Sequence, residues 1–372
     1  MKINKLTSLL ILSISLLLVN CSKNEESSDN YAFNFGSNIT SDFTGKIVDI
    51  NNNPVSGVEI AMSGQTTTTD ATGNFSLSGI SVKERFAYMT ATKNGYVKGS
   101  RAVMPHDGIN KVRIMLLPLN VIATVPTGET STVSLPNSTK IIFDGAFMTE
   151  SGAAYNGNVK VVLNHLDSRD PYVFDKMPGN LIGTRTDGSI SGMETYGMIN
   201  VELIGDNNEK LELSTGHTAN ITLPIASNQL DTAPEYIPLW SFNETKGLWE
   251  EEGFSRKVGN KYIGNVSHFC WWNNDSSFVV ATLYVTVKNA DGTPVQGVRV
   301  TITRAAGSTG DVLMDLGVTG ANGQLSAGVP RNEVLTFKAY NLDGALINTQ
   351  QLPASSELKR YVTVIIPVLN KN

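Results

Sequence analysis

Residues 45–60 read Gly45-Lys46-Ile47-Val48-Asp49-Ile50-Asn51-Asn52-Asn53-Pro54-Val55-Ser56-Gly57-Val58-Glu59-Ile60, and this stretch decides the fold class. Short apolar runs lie on either side of a polar turn, as in two strands of a half-buried sheet. Pro54 has a fixed φ and no backbone N–H, so it suits a position where the sheet needs no hydrogen-bond donor. Gly57 permits an unusual backbone angle or a β-bulge. The stretch therefore predicts a strand, a turn and a second strand.

The same pattern recurs near the other end of the chain, where residues 285–300 read VTVKNADGTPVQGVRV. Each copy is followed by a second turn signal, at residues 69–76 and 319–326. A weaker third copy lies at residues 152–161. An internal repeat of strand and turn units indicates related β modules at the two ends of the chain.

Composition agrees with a multidomain β protein. The chain has 372 residues, of which 41% are hydrophobic and 17% are charged, enough apolar content for packed cores in two to four domains. Beyond residue 30, short runs bounded by Gly, Pro, Asn and Asp predominate over helical periodicity, which predicts tandem all-β sandwiches. The net charge of −5, without a basic stripe, argues against a nucleic-acid partner. Two cysteines exclude a disulfide scaffold.

Residues 41–118 resemble the carboxypeptidase regulatory-like domain, a transthyretin-like β-sandwich. Residues 279–368 match this family more loosely, because they lack a counterpart of Asp70 and of Gly45. An immunoglobulin-like or regulatory-like sandwich is predicted there. The resemblance implies non-catalytic spacer or interaction domains. The matching residues in the first copy are Gly45, Val48, Asp49, Pro54, Val55, Gly57, Val58, Thr69, Asp70, Gly73 and Phe75, followed by Gly95-Tyr96.

The central segment, residues 119–275, carries a different pattern. A Pro-Leu-Trp run at residues 238–240 is followed by Gly-Leu-Trp at 247–249 and by Ser-His-Phe-Cys-Trp-Trp-Asn at 267–273. In this order the runs resemble the extracellular β domain of cartilage intermediate layer proteins. The resemblance predicts a central β domain but implies no ligand.

The N-terminal residues 1–20 are typical of a secretory signal peptide. Two lysines precede an apolar run at residues 9–19, which is too short for a confident membrane span. The run ends in Leu18-Val19-Asn20-Cys21, which resembles the lipobox of bacterial lipoproteins, although Asn20 departs from the usual small residue. In that family the cysteine thiol is acylated and becomes the mature N-terminus, which implies lipid attachment at Cys21. The alternative is an ordinary signal peptide with a chance cysteine.

Residues 21–40 are predicted to form a flexible tether, because the polar, acidic stretch after Cys21 cannot bury a core. Ser22, Lys23, Glu25 and Glu26 resemble the signal that exports some Gram-negative lipoproteins to the outer face of the outer membrane. The sequence therefore predicts an outer-membrane lipoprotein held by its acyl chains and exposed at the cell surface. A periplasm-facing anchor is the alternative.

Three tryptophans of the central segment are candidate glycan-binding residues: Trp249, Trp271 and Trp272. Exposed aromatic rings can stack on sugars, but tryptophan suits a core equally well because it buries a large area. Trp271 and Trp272 are adjacent on a predicted strand and so point to opposite faces. At least one of them is therefore expected in the core.

No metal or other cofactor is predicted. His268 and Cys270 are the closest approach to a ligand pair, but zinc sites need three or four ligands at characteristic spacings. A structural histidine and a buried free thiol are the favoured interpretations. The carboxylates at residues 250–252 are expected in a turn beside Trp249.

No nucleophile elbow, zinc-protease motif or phosphate-binding glycine loop occurs in the sequence. The predicted function is therefore a non-catalytic binding or structural display module whose ligand, a protein or a carbohydrate, is unknown. The alternative is an accessory protein or weak hydrolase acting on polysaccharide or peptide, which a cleft holding two carboxylates would favour. A plain spacer is a third interpretation.

Overall fold

The first β-sandwich contains seven strands. The structure, a computed structural model, describes residues 35–106, 108–304, 314–341 and 343–366, all in one compact unit of the chain. Two sheets, ordered β4-β1-β7 and β3-β2-β5-β6, enclose a core of alternating apolar side chains. The strands are β1 (Asn38–Asp49), β2 (Glu59–Met62), β3 (Gln65–Thr68), β4 (Asn74–Lys83), β5 (Ala87–Thr92), β6 (Gly99–Val103) and β7 (Ile109–Leu116).

The start of β1 lies inside the predicted tether. Residues 38–40 belong to the strand and pair with residues of β4. Residues 21–34 and the signal peptide lie outside the described residues. The tether prediction therefore does not apply to its last three residues.

The central domain is built on one large sheet. Thirteen strands join in this sheet, whose main path is β11-β15-β14-β20-β17-β18-β19-β16-β10-β9. The elements are β8 (Val121–Pro126), β9 (Ser131–Ser134), β10 (Lys140–Phe143), β11 (Phe147–Thr149), β12 (Asn158–Leu166), α1 (Val173–Lys176), β13 (Ile182–Thr184), β14 (Ile190–Ile204), β15 (Lys210–Leu213), β16 (Ala219–Pro224), a 3-10 turn (Ser227–Gln229), β17 (Tyr236–Asn243), β18 (Leu248–Val258), β19 (Lys261–Val266) and β20 (Trp271–Phe278).

The last sandwich repeats the first. Its sheets are ordered β24-β21-β27 and β23-β22-β25-β26, the same order as in the first sandwich strand for strand. In both, the first and last strands are parallel neighbours. The strands are β21 (Val280–Asn289), β22 (Arg299–Arg304), β23 (Met314–Val318), β24 (Gln324–Pro330), β25 (Leu335–Tyr340), β26 (Leu346–Leu352) and β27 (Lys359–Ile366). The two repeats therefore share one topology, and the all-β prediction is confirmed.

A local hydrogen-bond motif explains the repeated sequence. In the first sandwich, the hydroxyl of Thr69 accepts from the Val58 N–H at 2.9 Å and donates to the Val55 carbonyl at 2.8 Å. Thr319 makes the same two bonds in the last sandwich, at 3.0 and 2.7 Å. A buried threonine thus ties the Pro-Val-x-Gly-Val turn to the second turn in each copy, which satisfies backbone groups that would otherwise be buried without partners.

Gly73 closes the second turn of the first copy at a point where only glycine fits. Its φ is +76°, and an added Cβ would lie 2.5 Å from the Ile47 carbonyl oxygen. Gly64, in the same sandwich, has φ +78° but no atom within 4 Å of such a Cβ. We expect Gly64→Ala to cost about 1–2 kcal/mol through backbone strain alone. Gly73→Ala should cost about 1–3 kcal/mol more through overpacking. Denaturant unfolding of both variants measures the difference, and equal losses would contradict the steric explanation.

The first sandwich and the central domain share a hydrophobic core. Val97 and Leu117 of the first sandwich pack in one cluster with Trp240, Trp249 and Trp271 of the central sheet. Tyr88, also from the first sandwich, lies 6.2 Å from the ring of Phe242 between centroids. A second core fills the other face of the central sheet. The first sandwich is therefore joined to the central domain by packing as well as by the chain.

Within the described residues, no helix has the length and apolar character needed to cross a membrane.

Candidate functional site

The three candidate glycan-binding tryptophans are buried. Trp249, Trp271 and Trp272 have side chains that are 0%, 2% and 1% exposed. Trp271 packs in the core shared with the first sandwich, whereas Trp272 packs in the core on the opposite face of the sheet. The expected opposite orientation of the two rings is thus observed. The glycan-binding interpretation of these tryptophans is wrong, because none of the three rings reaches the surface to stack on a sugar.

A cleft of about 380 Å³ lies where the first sandwich, the central domain and the last sandwich meet. Its size falls in the range of ligand-binding pockets. Both cationic and aliphatic side chains line it. The described lining residues that carry its chemistry are Arg85, Arg101, His106, Lys111, Arg113 and Asp175, with Val103, Met104, Leu181, Ile182, Leu316 and Leu325.

Strand β6, an edge strand of the first sandwich, forms one wall. The Ala102 N–H donates to the Gly179 carbonyl at 3.1 Å, and the Gly179 N–H donates to the Ser100 hydroxyl at 3.1 Å. Between these two residues, the guanidinium of Arg101 donates to the Phe174 carbonyl. The segment after β12 therefore pairs with the edge of the first sandwich and fixes Arg101 at the cleft.

Strand β7 forms the adjacent wall. Lys111 and Arg113 alternate with Asn110 and Val112, which point into the interior of the sandwich. Arg113 Nε donates to Asp175 at 3.0 Å, and one of its terminal nitrogens donates to the Asn52 side chain at 2.6 Å. This guanidinium is therefore held in place from two sides.

The last sandwich closes the cleft. The hydroxyl of Ser326, on β24, donates to the sulfur of Met104 at 2.9 Å. Gly108 also lies against this sandwich, because a Cβ added to it would lie 3.0 Å from the Cβ of Ala321. The cleft is therefore formed by residues of all three domains packed together.

Charge is unbalanced in this cleft. Its described lining holds four permanent cations, Arg85, Arg101, Lys111 and Arg113, against the single carboxylate of Asp175. Low-dielectric walls strengthen the field of such a cluster. The chain as a whole carries a charge of −5, so the positive cleft stands apart from its surroundings. The arrangement suits an anion, and the described part of the lining does not include the carboxylate pair of a glycosidase.

Sequence reasoning missed this cleft because its cations are scattered along the chain. The available signal was the alternation in β7, where two cations occupy outward positions next to buried neighbours. This alternation predicts that one face of the strand is exposed, but it does not predict which residues lie near that face.

A second cluster surrounds His268. Its Nε2 lies 3.0 Å from Oε2 of Glu252, and the hydroxyl of Ser241 donates to the other oxygen of this carboxylate. The hydrogen bond that the imidazole donates to Glu252 raises the pKa of His268. The Cys270 sulfur lies 3.9 Å from Nδ1 of the same imidazole, but burial raises the pKa of the thiol to about 12. The thiol is therefore neutral at physiological pH and is a poor nucleophile.

The carboxylates at residues 250–252 lie on strand β18 and not in a turn, which corrects that expectation. Each has a partner: Glu250 pairs with Lys246 at 2.6 Å, Glu251 with Arg185 at 3.2 Å, and Glu252 with His268. Across the described ranges, no group of three or more His, Cys, Asp and Glu side chains is placed to hold a metal ion. Cys21, Ser22, Lys23, Glu25 and Glu26 lie outside the described residues.

Sequence comparison supports the similarity to cartilage intermediate layer proteins. No family model matches the chain. Human cartilage intermediate layer protein 2 is 31% identical over 139 residues, which cover 37% of this chain and 12% of that protein. Pig cartilage intermediate layer protein 1 is 32% identical over 111 residues, which cover 29% of this chain and 18% of that protein. The chain matches less than a fifth of the length of these relatives.

The solved structures that match this chain over most of its length, at low scores, include bacterial pilins. The major pilin BcpA of Bacillus cereus matches 88% of this chain and 99% of its own with a TM-score of 0.19 and 9% identity. The major pilin SpaD of Corynebacterium diphtheriae matches 88% and 97% with a TM-score of 0.20 and 9% identity. These scores are too low to support an argument, so the fold assignment rests on the strand order described above.

Proposed function

We propose that this chain is a lipid-anchored protein of the Gram-negative outer membrane whose β-sandwiches form a non-catalytic binding or structural display module. The observation that carries the proposal is the cleft between the sandwiches. It is lined by cations and aliphatic side chains and has one described carboxylate, Asp175, which is paired with Arg113. Such a lining can hold a ligand, and its described residues do not include the two carboxylates that most glycosidases use.

The shared core supports a display role. The first sandwich and the central domain pack through buried aromatic residues, so a close-packed core joins the two domains that supply most of the described lining of the cleft. A pre-shaped cleft loses little conformational freedom on binding, which favours affinity. Turnover of a polysaccharide or peptide by the full chain would contradict the non-catalytic assignment and favour a weak hydrolase or accessory enzyme.

Membrane attachment is assigned to Cys21. Several acyl chains on one cysteine give stable anchoring where a single chain gives only marginal binding, since each buried CH₂ contributes about 0.8 kcal/mol. The polar residues that follow Cys21 serve as the tether, and Lys23, Glu25 and Glu26 serve as the export signal to the cell surface. The protein thus binds the membrane through its acyl chains and a protein or carbohydrate ligand through the cleft.

We expect Cys21→Ser to abolish recovery of the protein in the membrane fraction, because no thiol would remain for acylation at position 21, after the signal peptide. Cys270→Ser is the matched control, since this thiol lies in the central domain and forms no disulfide among the described residues. Fractionation of cells that express each variant, with immunoblotting, provides the measurement. A Cys21→Ser protein that is still processed and still membrane-bound would overturn the anchor.

Protease treatment of intact cells distinguishes the two membrane faces. Degradation of the wild-type protein in intact cells is expected if the export signal directs it to the surface. Protection until the outer membrane is permeabilised would instead place the protein on the periplasmic face.

A further inference from the structure

We propose that the cleft between the sandwiches binds a short acidic peptide in an extended conformation. The inference rests on the proposed binding function and specifies the ligand class for it. Three features of the cleft lead to it: the sign of its charge, the strand edges around it, and the type of apolar side chain in its walls.

The excess of positive charge in the cleft favours an anionic ligand. Arg101 and Arg113 are held by the Phe174 carbonyl and by Asp175 with Asn52, so their guanidinium groups are oriented before a ligand arrives. Guanidinium groups match carboxylates in shape and bind them through paired hydrogen bonds. Lys111 is exposed on the same strand as Arg113 and adds a third positive charge. Carboxylates spaced along a ligand would therefore be attracted to this wall.

The strand edges favour a polypeptide. Strand β7 is the last strand of its sheet in the first sandwich, and β24 is the last strand of its sheet in the last sandwich. Residues of both line the cleft, together with residues of β6 and β23, which are also edge strands. The edge of a sheet offers backbone donors and acceptors to an added strand. On the edge of β6 one backbone donor is already used, because the Ala102 N–H donates to the Gly179 carbonyl, so the proposed strand addition involves β7, β23 and β24.

The apolar lining argues against a sugar. The described lining holds aliphatic side chains, among them Val103, Leu181 and Leu316, but no Phe, Tyr or Trp on which a sugar ring could stack. Along an extended peptide, alternate side chains point in opposite directions. A peptide in which acidic and aliphatic residues alternate would offer carboxylates to the cations of the lining and apolar side chains to its aliphatic residues.

The test uses the purified full chain in detergent and a probe that carries a fluorescent label at its N-terminus, Glu-Val-Glu-Val-Glu-Val-amide. We expect saturable binding by fluorescence anisotropy that weakens as salt is raised. The matched peptide with Gln in place of each Glu should bind at least about tenfold more weakly. Lys111→Glu should also weaken binding of the acidic probe about tenfold, because it reverses one charge in the cleft.

Lys359→Glu is the control, because Lys359 is an exposed lysine on β27 and does not line the cleft. It makes the same change in net charge and should leave binding within about twofold of wild type. Thermal unfolding of Lys111→Glu should match wild type, and Lys111→Gln provides a milder variant with an intermediate loss.

Three results would overturn the proposal. One is equal binding of the Glu and Gln peptides. Another is an equal loss in the Lys111→Glu and Lys359→Glu variants, which would mean a general charge effect. The third is binding of an acidic oligosaccharide, such as oligogalacturonate, without binding of the peptide. Membrane fractionation of the cells that express these variants tests the anchor separately, so failure of the peptide assignment is distinguishable from failure of the proposed function.

Discussion

Replacing Trp249 with alanine is expected to lower the free energy of unfolding by about 3–5 kcal/mol. The indole is fully buried and packs edge-on against Phe242, with 5.1 Å between ring centroids and planes at 65°. It belongs to the core that the central sheet shares with Val97 and Leu117 of the first sandwich. Removing it leaves a cavity at the junction of the two domains. Urea unfolding monitored by circular dichroism measures the loss.

Trp249→Phe is the matched control. Nε1 of Trp249 has no hydrogen-bond partner among the described residues, so phenylalanine gives up no hydrogen bond and keeps part of the aromatic contact. We expect this variant to lose about 1–2 kcal/mol, mainly through reduced volume. A similar loss in both variants would show that the indole N–H contributes an interaction that the geometry does not contain. No loss in either variant would contradict the shared core.

Asp275→Asn is expected to stabilise the protein at neutral and alkaline pH. Asp275 is fully buried on β20, where Oδ2 accepts from the Asn273 amide at 2.7 Å and Oδ1 has no partner in the described structure. Burial raises its pKa well above the usual value. Asparagine has nearly the same shape, keeps an oxygen for the bond from Asn273, and carries no charge to bury.

The sign of the pH dependence follows from this raised pKa. Above the ordinary aspartate pKa near 3.8, the unfolded chain has lost the Asp275 proton while the folded chain still holds it. The folded state then binds more protons, so stability falls as pH rises, with a limiting slope of about 1.4 kcal/mol per pH unit from this group. The free energy of unfolding stops falling once the pH exceeds the pKa that Asp275 has in the folded state.

The comparison of wild type with Asp275→Asn isolates this group. Glu202 also has a pKa raised by burial, but its contribution is the same in both proteins and cancels in the difference. Unfolding midpoints measured between pH 4 and 9 should show a gap between the two proteins that widens with pH. Parallel curves would mean that Asp275 is ionised in the folded state.

The sandwich repeat was predictable because its hydrogen bonds are local. The Thr69 bonds join residues 11 and 14 positions apart and the Thr319 bonds join residues 21 and 24 positions apart, so each set lies within one sandwich. Strand alternation likewise predicted that Trp271 and Trp272 point to opposite faces. It did not predict that the Trp271 face is covered, because the covering side chains, Val97 and Leu117, belong to another sandwich.

The cleft was not predictable for a similar reason. Arg113 and Asp175 are 62 residues apart and meet only when the helix α1 packs on β7. The spacing of residues in one strand predicts which of its side chains are exposed. Which residues of another domain pack against those side chains depends on how the domains dock. The strand position of Glu252 was missed because a run of three glutamates has low β-propensity, which the pairing of β18 with β17 overrides.

The parallel pairing of β1 with β7 has a mechanical consequence. Asn38 begins β1 at one end of the sheet, and Leu116 ends β7 at the other end. Tension applied between these two points pulls the strands past each other along their length. All the hydrogen bonds between them are then loaded together, whereas an antiparallel hairpin pulled from its open end opens one bond at a time. The last sandwich, with β21 parallel to β27, is arranged in the same way, so both outer sandwiches are built to resist stretching along the chain.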